Sequence, residues 1–447
     1  LGRPDTVMAP GNNWTGSKRG IRYKYQVNTV ADSVRLWTIA DAAGSTPATS
    51  GIYDEAELYK TISIDEHGSE VVEYKDKQGA VVLKKVQLDA SPGTAHVGWL
   101  CTYYIYDDYG LLRCVIQPQG IAELLWAGNW TLTGTLLDEL CFRYEYDQRN
   151  RMIIKKVPGA GEVHLVYDAR DRVVMMQDAN LRTGSPAKWQ YSVYDATNRI
   201  KTTGLLNSSS DRATHQSAAY NSSSYPTPAN YTYTELTRNS YDSYPSSFPQ
   251  FSTQDVSKMI EGDNPWPETV AAATQLVYGK ATESFAQNVG NGVPEIKTIF
   301  YDEKGRLVQV YTQHGELIRD ITTNRYDFSG KLICSYQRHE YDNAVANGQV
   351  NIRTRMLYDA AGRMIKTWKQ VNDVNEKLIV QNSYDELGQL KQKKLAPEYN
   401  SNAGIETLDY EYNIRGWMKG INKDYTNGTS NTRWFGQTLS YDHGFTT

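Results

Sequence analysis

Residues 301–308, Tyr-Asp-Glu-Lys-Gly-Arg-Leu-Val, carry the pattern of a tight turn between two β-strands. An Asp at the first corner of a turn accepts a hydrogen bond from the backbone two residues on, and a Gly three residues later supplies the positive φ that closes a hairpin with a bulge. The phrase Tyr-Asp-x-x-Gly returns along the chain, and a repeat of this kind takes precedence over other signals of fold. The sequence therefore predicts an all-β repeat array of antiparallel β-hairpins.

The copies of this phrase define the predicted turn residues. They are Tyr106, Asp107 and Gly110; Tyr301, Asp302 and Gly305; Tyr326, Asp327 and Gly330; Tyr358, Asp359 and Gly362; Tyr384, Asp385 and Gly388; and Tyr412 with Gly416. In degenerate copies that begin at Tyr146, Tyr167 and Tyr194, the Gly position holds Asn150, Asp171 and Asn198. Gly, Asn and Asp enter the left-handed region at the lowest cost, so we interpret this position as a backbone requirement.

The Tyr-Asp-x-x-Gly-Arg-Leu copies resemble the RHS/YD-repeat family. The run 412–418, Tyr-Asn-Ile-Arg-Gly-Trp-Met, together with the copy at Tyr384, resembles the Bacteroidetes-type branch. The likeness covers residues 50–206 and 295–447. It implies a strip of sheet that coils into a hollow shell or part of one. It also implies a secreted or cell-surface bacterial protein that encloses or displays a polypeptide cargo, such as a C-terminal toxin.

Composition excludes several classes of protein. A net charge of −4 over 447 residues leaves no basic footprint for nucleic acid or for an anionic membrane. No run of 18 apolar residues occurs, so we predict no membrane span. The chain has 33 Tyr against 8 Phe, and Tyr suits half-buried strands whose hydroxyl still reaches a partner.

Four regions follow from the distribution of the copies. Residues 1–50 are expected to hold strands that enter the array, and 51–206 the first repeats, with early copies at Tyr53-Asp54, at Ile64-Asp65 with Gly68, and at Tyr74 with Gly79. Residues 207–294 form a Ser/Tyr/Pro-rich insertion with short helices predicted at 253–259 and 267–278. Repeats resume over 295–447. Because the chain opens on half a turn phrase and ends soon after Tyr-Asp-His-Gly at 441–444, we expect an internal piece of a longer protein.

Two architectures compete for the repeat. The tyrosines at 301, 326, 358, 384, 412 and 441 are 25 to 32 residues apart. A propeller blade needs a steadier spacing of about 40–45 residues. A continuous antiparallel ribbon tolerates uneven hairpins better, so we favour it; the hollowness of a shell is implied by the resemblance alone.

No catalytic or metal-binding motif appears. The seven histidines include no His-Glu-x-x-His, and Gly-x-Ser-x-Gly, phosphate-loop and calcium-loop phrases are missing. Each repeated Asp has a turn to cap, whereas a glycosidase needs its carboxylate pair once. Many members of the family end in an aspartyl self-cleavage core before a variable toxin, and no such phrase occurs before Thr447. We therefore predict no enzyme activity, no cofactor and no metal.

Cysteines and histidines are expected to be structural. Cys101, Cys114, Cys141 and Cys334 match no zinc or redox spacing. Cys101 and Cys114 flank a predicted hairpin turn, which leaves a cross-strand contact open, but we favour buried thiols in strands. His67 and His443 fall inside turn phrases, so solvated turn positions are expected for both.

Aromatic residues leave a second function open. Tyr-x-Tyr pairs, at 104/106, 144/146 and 410/412, place two rings on one face of a strand, where an Arg after the turn can stack on them. The tryptophans at 126, 130, 189, 266, 368, 417 and 434 either pack within strands, which we favour, or form a sugar-stacking platform. The alternative function is thus a surface adhesin or a carbohydrate- or protein-binding module. Expected partners are the rest of the polypeptide, a secretion apparatus or surface glycans.

Overall fold

The computed structural model describes residues 3–9, 15–16, 19–245, 249–270, 272–342 and 347–441. The half phrase at residues 1–2, and the final copy from 442 onward with His443, lie outside the described residues. Within these ranges 26 strands belong to one long antiparallel sheet, and few helices accompany it. The sheet is not closed, because the first and last described strands each pair with a single neighbour. The predicted all-β antiparallel array is confirmed.

The chain divides into two compact units, which we describe separately. Unit 1 comprises residues 1–193 and 205–233, and unit 2 comprises residues 194–204 and 234–447.

The first fourteen strands carry unit 1. They are β1 (Thr6–Val7), β2 (Ile21–Val27), β3 (Arg35–Thr38), β4 (Ala48–Ile52), β5 (Tyr59–Ile64), β6 (Glu70–Lys75), β7 (Val81–Gln87), β8 (Trp99–Tyr106), β9 (Leu112–Ile116), β10 (Cys141–Tyr146), β11 (Met152–Lys156), β12 (Val163–Tyr167), β13 (Val173–Gln177) and β14 (Lys188–Tyr194). The helices of this unit are α1 (Pro118–Trp126), α2 (Gly134–Leu140), α3 (Ala179–Thr183) and α4 (Arg212–Ala219).

β1 and β2 pair within the array, as predicted for the first 50 residues, whereas β3 and β4 do not. They form a separate two-stranded hairpin. Val34 and Trp37 are buried, and the Trp37 ring lies 6.2 Å, edge to face, from the Tyr103 ring of β8. The hairpin therefore covers one face of the array, while β2 pairs directly with β5.

α1 and α2 cover the same hydrophobic core. Pro118 suits the first turn of α1, and the Thr133 hydroxyl caps α2 by accepting a bond of 3.3 Å from the Leu136 N–H. Their apolar faces bury Ile121, Leu124 and Leu136 against the sheet. Burial of apolar side chains is the main stabilising contribution to a small β-unit of this kind. Unit 1 thus has a core on one sheet face.

The later strands carry unit 2. They are β15 (Ile200–Asn207), β16 (Tyr233–Tyr241), β17 (Ala281–Gln287), β18 (Pro294–Tyr301), β19 (Leu307–His314), β20 (Ile318–Tyr326), β21 (Leu332–Asp342), β22 (Asn347–Tyr358), β23 (Met364–Val371), β24 (Lys377–Tyr384), β25 (Leu390–Leu395), β26 (Glu406–Tyr412), β27 (Met418–Ile421) and β28 (Gln437–Thr438). Two one-turn segments, α5 (Tyr399–Asn402) and α6 (Lys423–Thr426), lie in loops.

The expected insertion at 207–294 holds strands of the array as well as loops. It contains α4, β16 and β17. The connection between these two strands, residues 242–280, is called the inserted segment, and its described residues are 242–245, 249–270 and 272–280. The helix prediction for 267–278 is wrong, because the described residues of this range form no helix. In 253–259 the helix is limited to one short 3-10 turn, Val256–Lys258. The reason lies in tertiary contacts. The N–H groups of Glu268 and Thr274 donate to carbonyls at strand ends of the sheet and not to carbonyls of a helix.

Candidate functional site

The turn at Asp302 shows how one repeat closes. The Gly305 N–H donates to the Asp302 carbonyl at 2.9 Å, and the Asp302 N–H donates to the Arg306 carbonyl at 2.9 Å. The Asp302 carboxylate accepts the Arg306 N–H through Oδ1 at 2.8 Å. The Asp side chain therefore satisfies backbone groups that the narrow turn leaves without a strand partner.

Positive φ recurs at the predicted Gly position. It is 76° at Gly110, 74° at Gly305, 88° at Gly330, 80° at Gly362, 81° at Gly388 and 78° at Gly416. The substitutes keep it, at 58° for Asn150, 61° for Asp171 and 69° for Asn198. The left-handed backbone predicted for this position is confirmed.

Two early copies need correction. The turn that contains Gly79 begins at Lys75-Asp76, one residue later than predicted, because Tyr74 points into the core at 1% exposure and donates its hydroxyl to Asp32. Tyr53 follows β4, which in the described part of the chain pairs with β3 alone, so Tyr53-Asp54 is not a turn of the array.

Ten of the tyrosines that begin a turn phrase bond to the repeat before them. In each case the tyrosine hydroxyl donates to a backbone carbonyl. The acceptor is the first residue of the strand that begins after the preceding turn. The pairs are Tyr106 to Val81, Tyr146 to Leu112, Tyr167 to Met152, Tyr241 to Ile200, Tyr301 to Ala281, Tyr326 to Leu307, Tyr358 to Leu332, Tyr384 to Met364, Tyr412 to Leu390 and Tyr441 to Met418. Sequence reasoning missed this contact, although the excess of Tyr over Phe was its signal.

An arginine joins neighbouring turns in a second way. In five described turns its Nε donates to Oδ2 of the Asp in its own turn; these arginines, which we call the arginine clamps, are Arg151, Arg172, Arg199, Arg306 and Arg363. Four of them lie 4.2 to 4.9 Å above the ring of the next tyrosine. Arg does stack on Tyr, but in these four contacts the ring is the turn tyrosine of the following repeat and not a ring of the predicted Tyr-x-Tyr pairs.

The inserted segment lies on three turns of unit 2. The Asn264 side-chain carbonyl accepts the Tyr358 N–H at 3.2 Å, and the N–H groups of Glu268 and Thr274 donate to the carbonyls of Tyr326 and Tyr301 at 3.0 and 2.8 Å. The inserted segment therefore bonds the backbone of three turn tyrosines, through its own backbone at two of them and through the Asn264 side chain at the third.

Buried polar side chains hold this segment against the sheet. Arg325 donates to the carbonyls of Met259 and Glu268 at 2.7 and 2.6 Å. Arg338 pairs with Asp255 at 3.1 Å, and both side chains are nearly excluded from water. Burial raises the pKa of Asp255, and the Arg338 charge opposes that rise.

A comparable contact occurs among the described residues of unit 1. Gln216 of α4 accepts the Tyr167 N–H at 3.0 Å and donates to the Tyr167 carbonyl at 2.8 Å. A single side chain therefore bonds both backbone groups of this turn tyrosine.

Unit 1 also contains a buried polar cluster. Lys85, 1% exposed, donates to the carbonyls of Thr94 and Ala95 at 2.9 and 2.7 Å, and burial lowers its pKa to about 8. Burial opposes ionisation of Asp32, but hydrogen bonds led by that of Lys60 keep its pKa below the ordinary value. Burial lowers the pKa of His96, whose ring bonds the Tyr103 hydroxyl at 2.8 Å, to about 3. These groups join two loops to the sheet, and they are closed to solvent.

The described cysteines are free and buried, as predicted. Cys114 lies beside Cys141 and not Cys101, because β9 pairs with β10; the Cys141 thiol and burial raise the pKa of Cys114. Among the described residues, no three potential metal ligands lie together. None of the described helices combines the length and apolar character needed to cross a bilayer.

The tryptophans divide into buried and exposed sets. Trp189 is fully buried, with its ring 4.9 Å from that of His215. Trp126, Trp266 and Trp434 are 92%, 79% and 76% exposed. Packing within strands therefore accounts for one set, and the sugar-stacking platform stays a prediction.

Comparison with known proteins gives similarity to solved structures at low identity. No protein-family model matches the chain, and no curated protein matches it. TcdB2-TccC3 without its hypervariable C-terminal region is 13% identical, with a TM-score of 0.46 over 83% of this chain and 16% of that one. The Photorhabdus luminescens Tc holotoxin pore with a TccC3 mutation is 12% identical, with a TM-score of 0.44 over 90% and 20%. A TcdB2-TccC3-Cdc42 structure is 12% identical, with a TM-score of 0.44 over 90% and 18%. The chain thus spans less than a quarter of the length of these structures.

Proposed function

We propose that the chain is a non-catalytic segment of the shell of a secreted or cell-surface protein of the RHS/YD-repeat type. Its role is to enclose or display a polypeptide, such as a C-terminal toxin, until delivery. The observation that carries the proposal is the coupling of neighbouring turns among the described residues, by a tyrosine hydroxyl in ten places and by a stacked arginine clamp in four.

This coupling suits a mechanical role. A hairpin cannot bury its own face, so in a repeat array each unit is stabilised by its neighbours. These bonds between neighbouring turns resist sliding of strands past each other, which would otherwise open a long sheet. The resemblance to the RHS/YD-repeat family implies that the array encloses a cavity, and the following experiment tests that enclosure.

The experiment is limited proteolysis of the full-length protein purified from its source. If the array encloses a cargo, that polypeptide resists protease in the native protein and is cleaved once the array is opened by mild denaturant. A control digests the same cargo expressed alone. Equal cleavage rates for the native protein and the free cargo would contradict enclosure, as would an electron-microscopy reconstruction with no curved sheet around a cavity.

A further inference from the structure

The arginine clamps define a binding geometry for a guanidinium group. Arg306 donates from Nε to Asp302 Oδ2 at 2.6 Å and from Nη1 to the Asp327 carbonyl at 3.1 Å, while its guanidinium lies 4.9 Å above the Tyr326 ring. Arg151 makes the same three contacts, at 2.8 Å to Asp147, 3.3 Å to the Asp168 carbonyl and 4.9 Å to the Tyr167 ring. The receptor for the guanidinium is thus a carboxylate oxygen, a carbonyl and an aromatic face.

One turn of unit 1 keeps this receptor without its arginine. Ala80 occupies the clamp position in the turn of Asp76, whose Oδ1 accepts the N–H groups of Gln78 and Ala80, both at 2.9 Å. In the described part of the chain, no hydrogen bond or ion pair reaches Asp76 Oδ2. Tyr106 is nonetheless in place, with its hydroxyl on the Val81 carbonyl at 3.3 Å. A cavity of about 490 Å³ lies here, lined by Asp76, Ala80, Tyr106 and Asp107 among others.

A turn of unit 2 repeats the arrangement. Gln389 stands at the clamp position, Asp385 Oδ1 accepts the Leu387 and Gln389 N–H groups, and the Tyr412 hydroxyl bonds the Leu390 carbonyl. No described group bonds Asp385 Oδ2, and a cavity of about 630 Å³ is lined by Asp385, Gln389 and Tyr412.

A third turn shows what happens when an arginine is nearby. Leu111 stands at its clamp position, and Arg113, two residues further on, reaches Asp107 Oδ2 at 3.4 Å. Both side chains of this pair are buried. An arginine from a different position has therefore taken over the carboxylate that the missing clamp left open.

We propose that the turns of Asp76 and Asp385 are binding sites for a guanidinium group, supplied by an arginine side chain of a polypeptide. We assign a polypeptide as the occupant because the inserted segment contacts the turns of Tyr301 and Tyr326 through its backbone. It contacts the turn of Tyr358 through the Asn264 side chain. This inference does not depend on enclosure of a cargo.

Charge and shape in the cavity favour arginine. Asp108 adds a second carboxylate to the Asp76 cavity, and Arg35, which also lines it, is stacked 4.6 Å from the Trp130 ring and makes no ion pair with Asp76 among the described residues. A planar guanidinium bonds the carboxylate and the carbonyl at once while stacking on Tyr106. An ammonium group is a compact point charge and cannot match that geometry.

The test measures binding of a short peptide with one arginine between glycines, by ligand-observed nuclear magnetic resonance on the purified chain. Matched peptides carry citrulline, which is isosteric and neutral, or lysine. We expect the arginine peptide to bind about tenfold more tightly than either, and free arginine to bind more weakly than the peptide. Equal binding of the citrulline peptide would overturn the proposal, and equal binding of free arginine would overturn the assignment of a polypeptide.

Variants locate the binding on the two turns. Ala80→Arg combined with Gln389→Arg supplies the chain's own clamps, and we expect peptide binding to fall at least about tenfold with the fold intact by circular dichroism. Adding Arg363→Ala to that variant opens a new site between Asp359 and Tyr384, and binding is expected to return. Unchanged binding after Ala80→Arg and Gln389→Arg would overturn the proposal. So would a wild-type protein that fails to bind while the Arg363→Ala variant binds.

Discussion

At the Gly position of each turn, the backbone angle decides which residues are accepted. Gly330 has a φ of 88°, and a Cβ built on it meets no atom within 4 Å. At Gly305 and Gly362 an added Cβ would meet the side chains of Lys280 and Lys331 at 3.3 and 2.6 Å. At Gly330, therefore, a substitution tests backbone strain without side-chain crowding.

We expect Gly330→Val to destabilise the protein by about 1–3 kcal/mol, the cost of holding a β-branched residue in the left-handed region. Gly330→Asn should cost less than about 1 kcal/mol, because Asn150 and Asn198 already occupy the equivalent position with φ of 58° and 69°. Chemical denaturation of both variants measures the difference. Equal losses for Val and Asn would contradict the turn geometry.

The tyrosine hydroxyl makes a second prediction for a single residue. Tyr326→Phe removes a half-buried bond of 2.7 Å to the Leu307 carbonyl and should cost about 1 kcal/mol. Tyr384→Phe is the matched control, because its bond of 2.8 Å to the Met364 carbonyl is exposed and water replaces it. Unfolding free energies of the two variants test this ranking. A larger loss for Tyr384→Phe would show that the hydroxyl bond is not the source.

At the scale of strands and turns, an arginine clamp contributes more to the free energy of unfolding where it bonds more partners. Arg306 bonds Asp302, Glu268 and the Asp327 carbonyl, and so joins two turns of the sheet to the inserted segment. The Asp302 carboxylate is 2% exposed, so its charge depends on this arginine for compensation. Arg363 pairs with Asp359 in a turn where both side chains are more exposed.

Arg306→Gln is therefore expected to cost about 2–3 kcal/mol, since it leaves a buried carboxylate without its ionic partner. Arg363→Gln should cost at most about 1 kcal/mol, because solvent screens an exposed pair. Thermal or chemical unfolding provides the measurement. If the two losses are equal, burial of the Asp is not what sets the strength of a clamp.

The loop that carries His96 should make unit 1 sensitive to acid. The His96 pKa is about 3, below its ordinary 6.5, because burial disfavours the charged ring and because Lys85 and Arg35 lie near it; Tyr103 and Trp130 complete its surroundings. Below pH 6.5 the His96 ring is protonated in the unfolded chain, whereas in the folded protein it stays neutral until the pH approaches 3. The contribution of a neutral His96 is thus complete above pH 6.5 and is lost as pH falls toward 3.

The expected loss from this residue between pH 7 and pH 5 is about 2 kcal/mol. It is measured as the difference in unfolding free energy between the two pH values, compared for the wild type and His96→Gln. Gln still bonds the Tyr103 hydroxyl but does not titrate, so the acid dependence should be smaller in the variant. An unchanged dependence would mean that His96 is not the group responsible.

Across the whole molecule, stability in a repeat array is a sum of local terms between neighbours. In unit 2 the turn at Gly330 joins β20 to β21, and β21 pairs with β22. β25 and β26 are several strands away in the same pairing order. Destabilising a turn should therefore weaken mainly the two strands that it joins and the strands paired with them.

Hydrogen exchange of Gly330→Val tests this locality. Amide protection is expected to fall in β20, β21 and β22 and to stay near the wild-type level in β25 and β26. The comparison uses Gly330→Asn as its control, which should leave both groups of strands protected. A uniform loss of protection through unit 2 would instead mark the array as a single cooperative element.

Sequence alone determined the turn, because its interactions lie within five residues. The Asp that caps the backbone, the left-handed Gly position and the all-β array follow from that local pattern, whatever the rest of the chain does. The local pattern also explains why the prediction for Tyr74 is wrong. The turn phrase does not show which tyrosine faces the core, and Tyr74 is buried there.

Tertiary structure decided everything that joins residues far apart in the chain. Arg325 bonds the Met259 carbonyl across 66 residues, and this contact helps draw the segment predicted to be helical across the sheet. The open carboxylates of Asp76 and Asp385, the covering α1 and α2 and the neutral His96 likewise depend on which strands become neighbours. Strand register sets those distances, and a pattern repeated every 25 to 32 residues does not encode what each copy will face.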